Sequence, residues 1–205
     1  IKGFDHPKVM SYLQVLRDKA PVGNKVAIIG AGGIGFDVAS FLAEEPLASG
    51  KSLITDVDAW LKNWGVDKNY QNPGALLEPD AIEKHVSKRD ISLLQRKTTK
   101  VGKGLGKTSG WVHRANLVKH GVKMLPGVSY KSITDAGLLI EVNGKEQLLE
   151  VDNIIICAGQ EPNRDLQNAL EAGGMSVHLI GGANVAAELD AKRAIRQAAE
   201  LAMVI

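Results

Sequence analysis

A single cysteine, Cys157, stands in 205 residues. No disulfide can form within the chain, and neither a C-x-x-C redox pair nor the thiolate set of an iron–sulfur cluster is available. Its place inside an apolar run makes Cys157 a small buried hydrophobe rather than a reactive thiol. The five histidines have no H-x-x-x-H or related spacing, so no metal site is expected. An excess of one charge is also missing. With 25 Lys and Arg against 23 Asp and Glu, the formal net charge of +2 argues against a nucleic-acid or membrane-surface partner. No apolar run reaches the length of a membrane span, and no signal-peptide pattern is present. With the lone cysteine, this suits a reducing, cytoplasmic setting. None of Tyr12, Tyr70 and Tyr130 has a lysine four residues on, which removes the short-chain dehydrogenase pair. Gly106-Lys107-Thr108 would end a P-loop, but Val101 occupies the position of its first glycine. Ser109-Gly110 lacks the preceding glycine of a hydrolase elbow, because Lys107 stands there. No catalytic acid or base is assigned. The chain opens at Ile1 without a methionine, so a piece of a longer protein is expected.

What the chain does contain is Lys25-Val-Ala-Ile-Ile-Gly-Ala-Gly-Gly-Ile-Gly-Phe-Asp37. Val26 to Ile29 reads as a buried strand, Gly30, Gly32 and Gly35 as G-x-G-x-x-G, and Ile34 to Ala43 as a helix. Strand, glycine turn and helix in that order form the dinucleotide-binding context. Gly30 serves the tight turn, Gly32 the approach of a pyrophosphate, and Gly35 close helix–strand packing. The helix N-terminus offers N–H groups and partial positive charge to the phosphates.

Before this motif, Lys8 to Asp18 carries apolar residues at helical spacing, making 1–23 a connector with one helix. After it, Pro46 and Gly50 close the helix, and residues 44–89 form a loop-rich insertion. Within the insertion, Asp56 would cap a short helix from Val57 to Trp64. Ile91 to Gln95 is the next strand, followed by a basic glycine loop, a helix from Val112 to His120 and a strand from Val122 to Leu125. This alternation specifies a parallel, doubly wound sheet. Val128–Ile133, Leu138–Val142 and Gln147–Val151 read as an antiparallel meander, with Asn143-Gly144 as a hairpin turn. Asn153 to Ala158 returns as an apolar strand. A last unit follows: strand Val177–Ile180, turn Gly181-Gly182, and a helix from Leu189 to Val204. The expected fold is thus α/β, a three-layer Rossmann-like domain carrying an antiparallel β-meander, plus part of a second, FAD-type domain.

The tip of the second strand selects the cofactor: an acid for a free ribose 2′-hydroxyl, basic residues for a 2′-phosphate. Two segments compete. Lys51–Thr55 would offer Asp56, while Ile91–Gln95 offers Arg96 and Lys97. The second run is more apolar and leads into a basic loop, and Asp56 has another role as a helix cap. The reading therefore favours Arg96, Lys97 and NADPH.

Several pieces match one family together: Val26 to Asp37, Leu94-Gln-Arg-Lys97, Gly104 to Trp111 with His113-Arg114, Cys157 to Asn163, and Glu188 to Ile195. The chain closely resembles, over essentially its whole length, the C-terminal part of bacterial NADPH-dependent 2,4-dienoyl-CoA reductases, relatives of trimethylamine dehydrogenase. The resemblance implies a longer enzyme with an N-terminal barrel holding FMN and a four-iron cluster, then FAD and NADPH domains. Electrons there run from NADPH through FAD, cluster and FMN to the dienoyl-CoA of fatty-acid β-oxidation. Residues 1–23 would connect from the FAD-type domain, 24–163 form the NADPH domain, and 164–205 close the FAD domain. By the same resemblance, Gly30, Gly32, Gly33 and Gly35 cradle the pyrophosphate, and Arg96 with Lys97 holds the 2′-phosphate. Ala158, Gly159 and Gln160 line the nicotinamide side. Gly181, Gly182, Lys192, Arg193 and Ala194 meet the FAD, with Asn184 standing where the family usually has Asp. The partners implied are the remainder of the same polypeptide and a dienoyl-CoA bound outside this chain. A free-standing module that senses NADP(H) without catalysis is the competing reading, and the flavin-type segment at 177–205 speaks against it.

Overall fold

The computed structural model describes residues 1–44, 56–82, 86–186 and 191–205. The chain divides into two units, Ile1–Ala158 and Gly159–Ile205.

The first unit is built on a parallel sheet. In chain order its elements begin with β1 (Val9–Ser11), α1 (Tyr12–Leu16), β2 (Lys25–Ile29), α2 (Gly33–Ala43) and α3 (Val57–Asn63). They continue with β3 (Asp90–Leu94), α4 (Gly110–Lys119), β4 (Lys123–Leu125), β5 (Val128–Thr134), β6 (Gly137–Val142), β7 (Lys145–Leu149) and β8 (Asn153–Ile156). The five-stranded sheet runs β1-β8-β2-β3-β4, with every pair parallel. The meander forms its own antiparallel sheet, β5-β6-β7, rather than extending the parallel one.

Alternation along the strands explains the layering, since successive side chains point to opposite faces. Val26, Ile28, Ile91, Leu93 and Ile155 pack with Phe36, Val38, Ala39, Leu42 and Leu117 on the helical side. Ala27, Ile29, Leu94 and Ile154 pack against Val128, Ile133, Leu138 and Ile140 of the meander. Helices, parallel sheet and meander are the three layers. Because both faces are covered, the strands are apolar throughout, and each fully buried Ile or Leu contributes about 1.5–3 kcal/mol. On the helical side, the Asn116 amide donates to Ser40 Oγ at 3.0 Å and Glu44 Oε1 at 3.1 Å, tying α4 to α2.

The N-terminal segment differs from the expected helix over 8–18. Val9 and Met10 pair in parallel with Ile154 and Ile155, which places them in an edge strand. Ser11 then starts α1 through a capping box with Gln14. Periodicity could not separate two apolar strand residues from a helical turn. The expected helix at 57–64 is present, with Asp56 Oδ1 accepting from Ala59 N at 3.0 Å. Trp60 and Trp64, four residues apart, lie 6.2 Å apart between ring centroids. Asn143 and Gly144 both have positive φ, 51° and 74°, the conformation of a two-residue type I′ hairpin. β7 therefore starts at Lys145, two residues earlier than expected.

The loop between β7 and β8 holds the start of β2. Asp152 Oδ2 accepts from the backbone N–H groups of Asn24 and Lys25, both at 2.8 Å. These hydrogen bonds hold the Asp152 carboxyl below its ordinary value. The stabilisation is present above the unfolded-state value of about 3.9 and disappears as pH falls through the lower folded value. Asp152→Ala should lower the melting temperature at pH 7, and the difference from the parent chain should shrink steadily on acidification below pH 4. A difference independent of pH would rule out the carboxylate as its origin.

The second unit contains α5 (Gln167–Ala172), α6 (Gly181–Asn184) and α7 (Ala191–Ala202). The turn expected at Gly181-Gly182 is the first turn of α6. Val177–Ile180, expected as a strand, has no regular structure. A strand needs a ladder partner, and this unit has no other strand among the described residues. α5 was not expected. Residues 46, 50–55 and 188–190, which carry the helix stop, the rival second strand and the expected start of the last helix, lie outside the described residues.

Candidate functional site

The four strands β8, β2, β3 and β4 end on one edge of the parallel sheet, where the turns after them gather. In doubly wound sheets this carboxyl edge is where ligands bind. After β2 the chain passes through Gly30, and its N–H donates to Leu94 O at 3.1 Å. Gly30 has φ of 108°, and a Cβ there would lie 2.8 Å from Cys157 O and 3.0 Å from the Ala158 Cβ. The backbone conformation and the crowding both require glycine. A Cβ on Gly35 would overlap the Gly30 carbonyl oxygen and sit 2.9 Å from its carbon, so α2 rests directly on the turn.

Gly32 and Gly33 are different. A Cβ on either meets nothing within 4 Å. Gly32 is the N-cap of α2, has no side-chain cap bond, and the first turn contains no acidic residue. The motif thus divides into two packed glycines and two that leave open space at an uncapped, eleven-residue helix. Uncapped N–H groups beside open space suit an anionic pyrophosphate, so these residues fit a dinucleotide.

β3 is the immediate parallel neighbour of β2, with Ile29 opposite Leu94. β8 occupies the other side of β2, so no further strand can pair with it. Arg96 and Lys97 follow β3 and are exposed. Both are without an ion-pair partner among the described residues, as are Lys100, Lys103 and Lys107 in the loop beyond. From Ile91 to Thr134 there are nine Lys or Arg and no Asp or Glu. In a chain that is nearly neutral overall, five of these nine, Arg96, Lys97, Lys100, Lys103 and Lys107, lie in the turn and loop that follow β3.

The basic turn is braced. Gln95 Nε2 donates to Lys97 O and to Thr99 O, both at 2.8 Å. Gly127 N donates to Lys97 O at 3.0 Å. Burial pushes the Tyr130 hydroxyl up to about 12, with the Arg96 charge acting in the other direction. The following loop is anchored by Val101, which is buried and whose carbonyl accepts from Arg114. A Cβ on Gly102 would lie 2.7 Å from the Phe36 ring, so this loop rests on α2.

Ala158 ends the first unit beside Gly30, while Gly159 and Gln160 open the second. Burial pushes the Cys157 thiol up to about 12, so it is no thiolate at neutral pH. Within the second unit, Gly181 N donates to Gln197 Oε1 at 2.7 Å, and a Cβ on Gly181 would lie 3.0 Å from the Ala194 Cβ. Arg193 Nη2 donates to Val185 O at 2.6 Å. Gly182 lies in α6, and Lys192 is exposed on α7. Gly181, Ala194 and Arg193 are thus brought together by contacts inside their own unit. Sequence reasoning did not single out the Gln95 side chain, whose bracing contacts arise only where the turn folds back.

A family model described as pyridine nucleotide-disulphide oxidoreductase matches residues 2–193. A metal reductase of Desulforamulus reducens is 23% identical over 182 residues, 86% of this chain and 24% of that protein. Among solved structures, a 2-naphthoyl-CoA reductase aligns with TM-score 0.65 and 20% identity, covering 100% of this chain and 24% of that one. A 6-hydroxypseudooxynicotine amine oxidase from Pseudomonas geniculata N1 aligns with TM-score 0.64 and 17% identity, covering 97% and 25%. These two likenesses establish the fold, and the chain spans about a quarter of the length of each of these relatives. Proteins of the matched family bind FAD and NAD(P)H. With its glycine turn, parallel sheet and matched span of residues 2–193, the chain belongs to the pyridine nucleotide-disulphide oxidoreductase family.

Proposed function

We propose that this chain is the NADPH-binding portion of a flavoprotein reductase of the 2,4-dienoyl-CoA reductase type. The observation that carries the nucleotide assignment is the pairing of β2 with β3. It sets an open, uncapped glycine turn beside the exposed cations Arg96 and Lys97. Gly32, Gly33 and the first turn of α2 receive the pyrophosphate, and Arg96 and Lys97 receive the ribose 2′-phosphate. Arg offers a planar fork and Lys a mobile point charge, a combination suited to a phosphate. Ala158, Gly159 and Gln160 face the nicotinamide, by the family resemblance. Bound NADPH supplies hydride from its nicotinamide C4 to an FAD held mainly by the remainder of the polypeptide. Gly181, Gly182, Lys192, Arg193 and Ala194 border that flavin. The acyl-CoA acceptor rests on the motifs around Gly104–Trp111, Cys157–Asn163 and Glu188–Ile195, and the reaction belongs in the cytoplasm.

The nucleotide assignment is tested by titrating the chain with NADPH and NADH. Arg96→Ala with Lys97→Ala should weaken NADPH about 30-fold, or about 2 kcal/mol, and leave NADH within about twofold. An unchanged NADPH affinity would place the 2′-phosphate elsewhere and remove the basis of the assignment.

A further inference from the structure

Gln95 stands between the last strand residue, Leu94, and the basic pair, and its side chain turns back onto the backbone that follows. One amide nitrogen donates both its hydrogens, to Lys97 O and Thr99 O, at 2.8 Å each. The Gln95 backbone is itself fixed: its N–H donates to Leu125 O and its carbonyl accepts from Val128 N, both at 2.9 Å. Lys97 O takes a further bond from Gly127 N at 3.0 Å. The five-residue turn Gln95–Thr99 is therefore held from inside by one side chain and from outside by the β4–β5 connection. Its exposed residues, Arg96, Lys97, Thr98 and Thr99, are the ones left facing solvent.

We infer that Gln95 is a specificity-determining positioning residue: it fixes the backbone of the 2′-phosphate turn so that Arg96 and Lys97 converge on one anion. The inference rests on the proposed role of those two cations and extends it to a residue that does not itself touch the ligand. Its physical basis is preorganisation. An exposed turn with two long cationic side chains would otherwise have to order its backbone on binding, and the entropy of that ordering would reduce affinity. Holding the turn beforehand removes this loss for a ligand that uses the turn, and leaves a ligand without a 2′-phosphate unaffected. The neighbouring glycine cradle shares no hydrogen bond with the Gln95 side chain, so the effect is confined to one end of the nucleotide.

The experiment uses the full chain, with NADPH and NADH as probes. Gln95→Leu keeps the volume and removes both donors. It should weaken NADPH about 5- to 10-fold and move NADH by less than about twofold. When Arg96 and Lys97 are already alanine, adding Gln95→Leu should leave NADPH affinity unchanged, because there is nothing left to position. Should Gln95→Leu fail to fold, Gln95→Asn takes its place, since it keeps an amide but is one methylene too short to reach both carbonyls. An equal loss for both nucleotides, or a further NADPH loss in the triple variant, would overturn the positioning role and leave a general structural one. If the double alanine variant retains its NADPH preference, the assignment of the 2′-phosphate fails instead, so the two failures are distinguishable.

Discussion

Gly35→Ala should destabilise the chain by about 3 kcal/mol, near the upper end of ordinary overpacking. The added Cβ falls on the carbonyl of Gly30, and both atoms it meets closest are backbone, so no rotamer change can relieve the overlap. Its third neighbour, Leu93 Cδ1 at 3.4 Å, is itself fully buried. The only relief is to lift α2 from the sheet, and α2 contributes Phe36, Val38, Ala39 and Leu42 to the core. For a chain of this size the melting temperature should fall by about 6–12 °C. Gly33→Ala is the control. Its Cβ meets open space, and exchanging glycine for alanine at a helical position should stabilise by about 0.5–1 kcal/mol. Thermal unfolding of the two variants should therefore move in opposite directions. Equal shifts would mean that Gly35 is no packing glycine.

The same distinction shows how far the sequence could be read. Val26–Ile29, Ile91–Gln95 and Asn153–Ala158 announced themselves because both faces of the parallel sheet are covered. A short, wholly apolar, β-branched run has few other places to go. Asn143-Gly144 fixed its hairpin because few other residue pairs accept two successive positive φ values. The choice between the two rival second strands turned on Arg96 and Lys97 against Asp56, and β3 in the structure is the run that ends in the basic pair. Asp56 instead caps α3. What could not be read depended on partners distant in sequence. Val9 and Met10 become strand only because Ile154 and Ile155 lie alongside them. Val177–Ile180 has strand composition but no strand partner among the described residues of its unit. Gln95 is an unremarkable glutamine until the turn folds back to offer two carbonyls to its amide. The site followed the same rule. Its glycines and cations were visible as residue types, while the division of the glycines into packed and open pairs exists only in the folded chain.

Gly33→Asp should separate binding from folding more sharply than any other single change at this edge. The position is the first residue of an eleven-residue helix, its Cβ meets nothing within 4 Å, and the first turn carries no acid. A carboxylate there sits at the positive end of the helix dipole, and that placement favours the folded chain by about 0.3–1 kcal/mol. Replacing glycine adds helix propensity in the same direction. For a pyrophosphate the result is reversed. The carboxylate occupies the open space, takes up N–H groups that would otherwise donate to phosphate, and repels the remaining negative charge. Losing one charge-assisted hydrogen bond and adding a like charge together should weaken NADPH by about 200-fold, or about 3 kcal/mol. NADH should lose as much, because both nucleotides carry the pyrophosphate and the 2′-phosphate lies at the other strand tip. This equality distinguishes the variant from the Arg96 and Lys97 substitutions, where only NADPH is affected. Added salt should recover part of the lost affinity by screening the repulsion but none of the lost hydrogen bonds. Thermal unfolding beside nucleotide titration reads both effects on one sample. A chain that becomes more stable and still binds both nucleotides normally would show that the open space at Gly32 and Gly33 is not where the pyrophosphate sits.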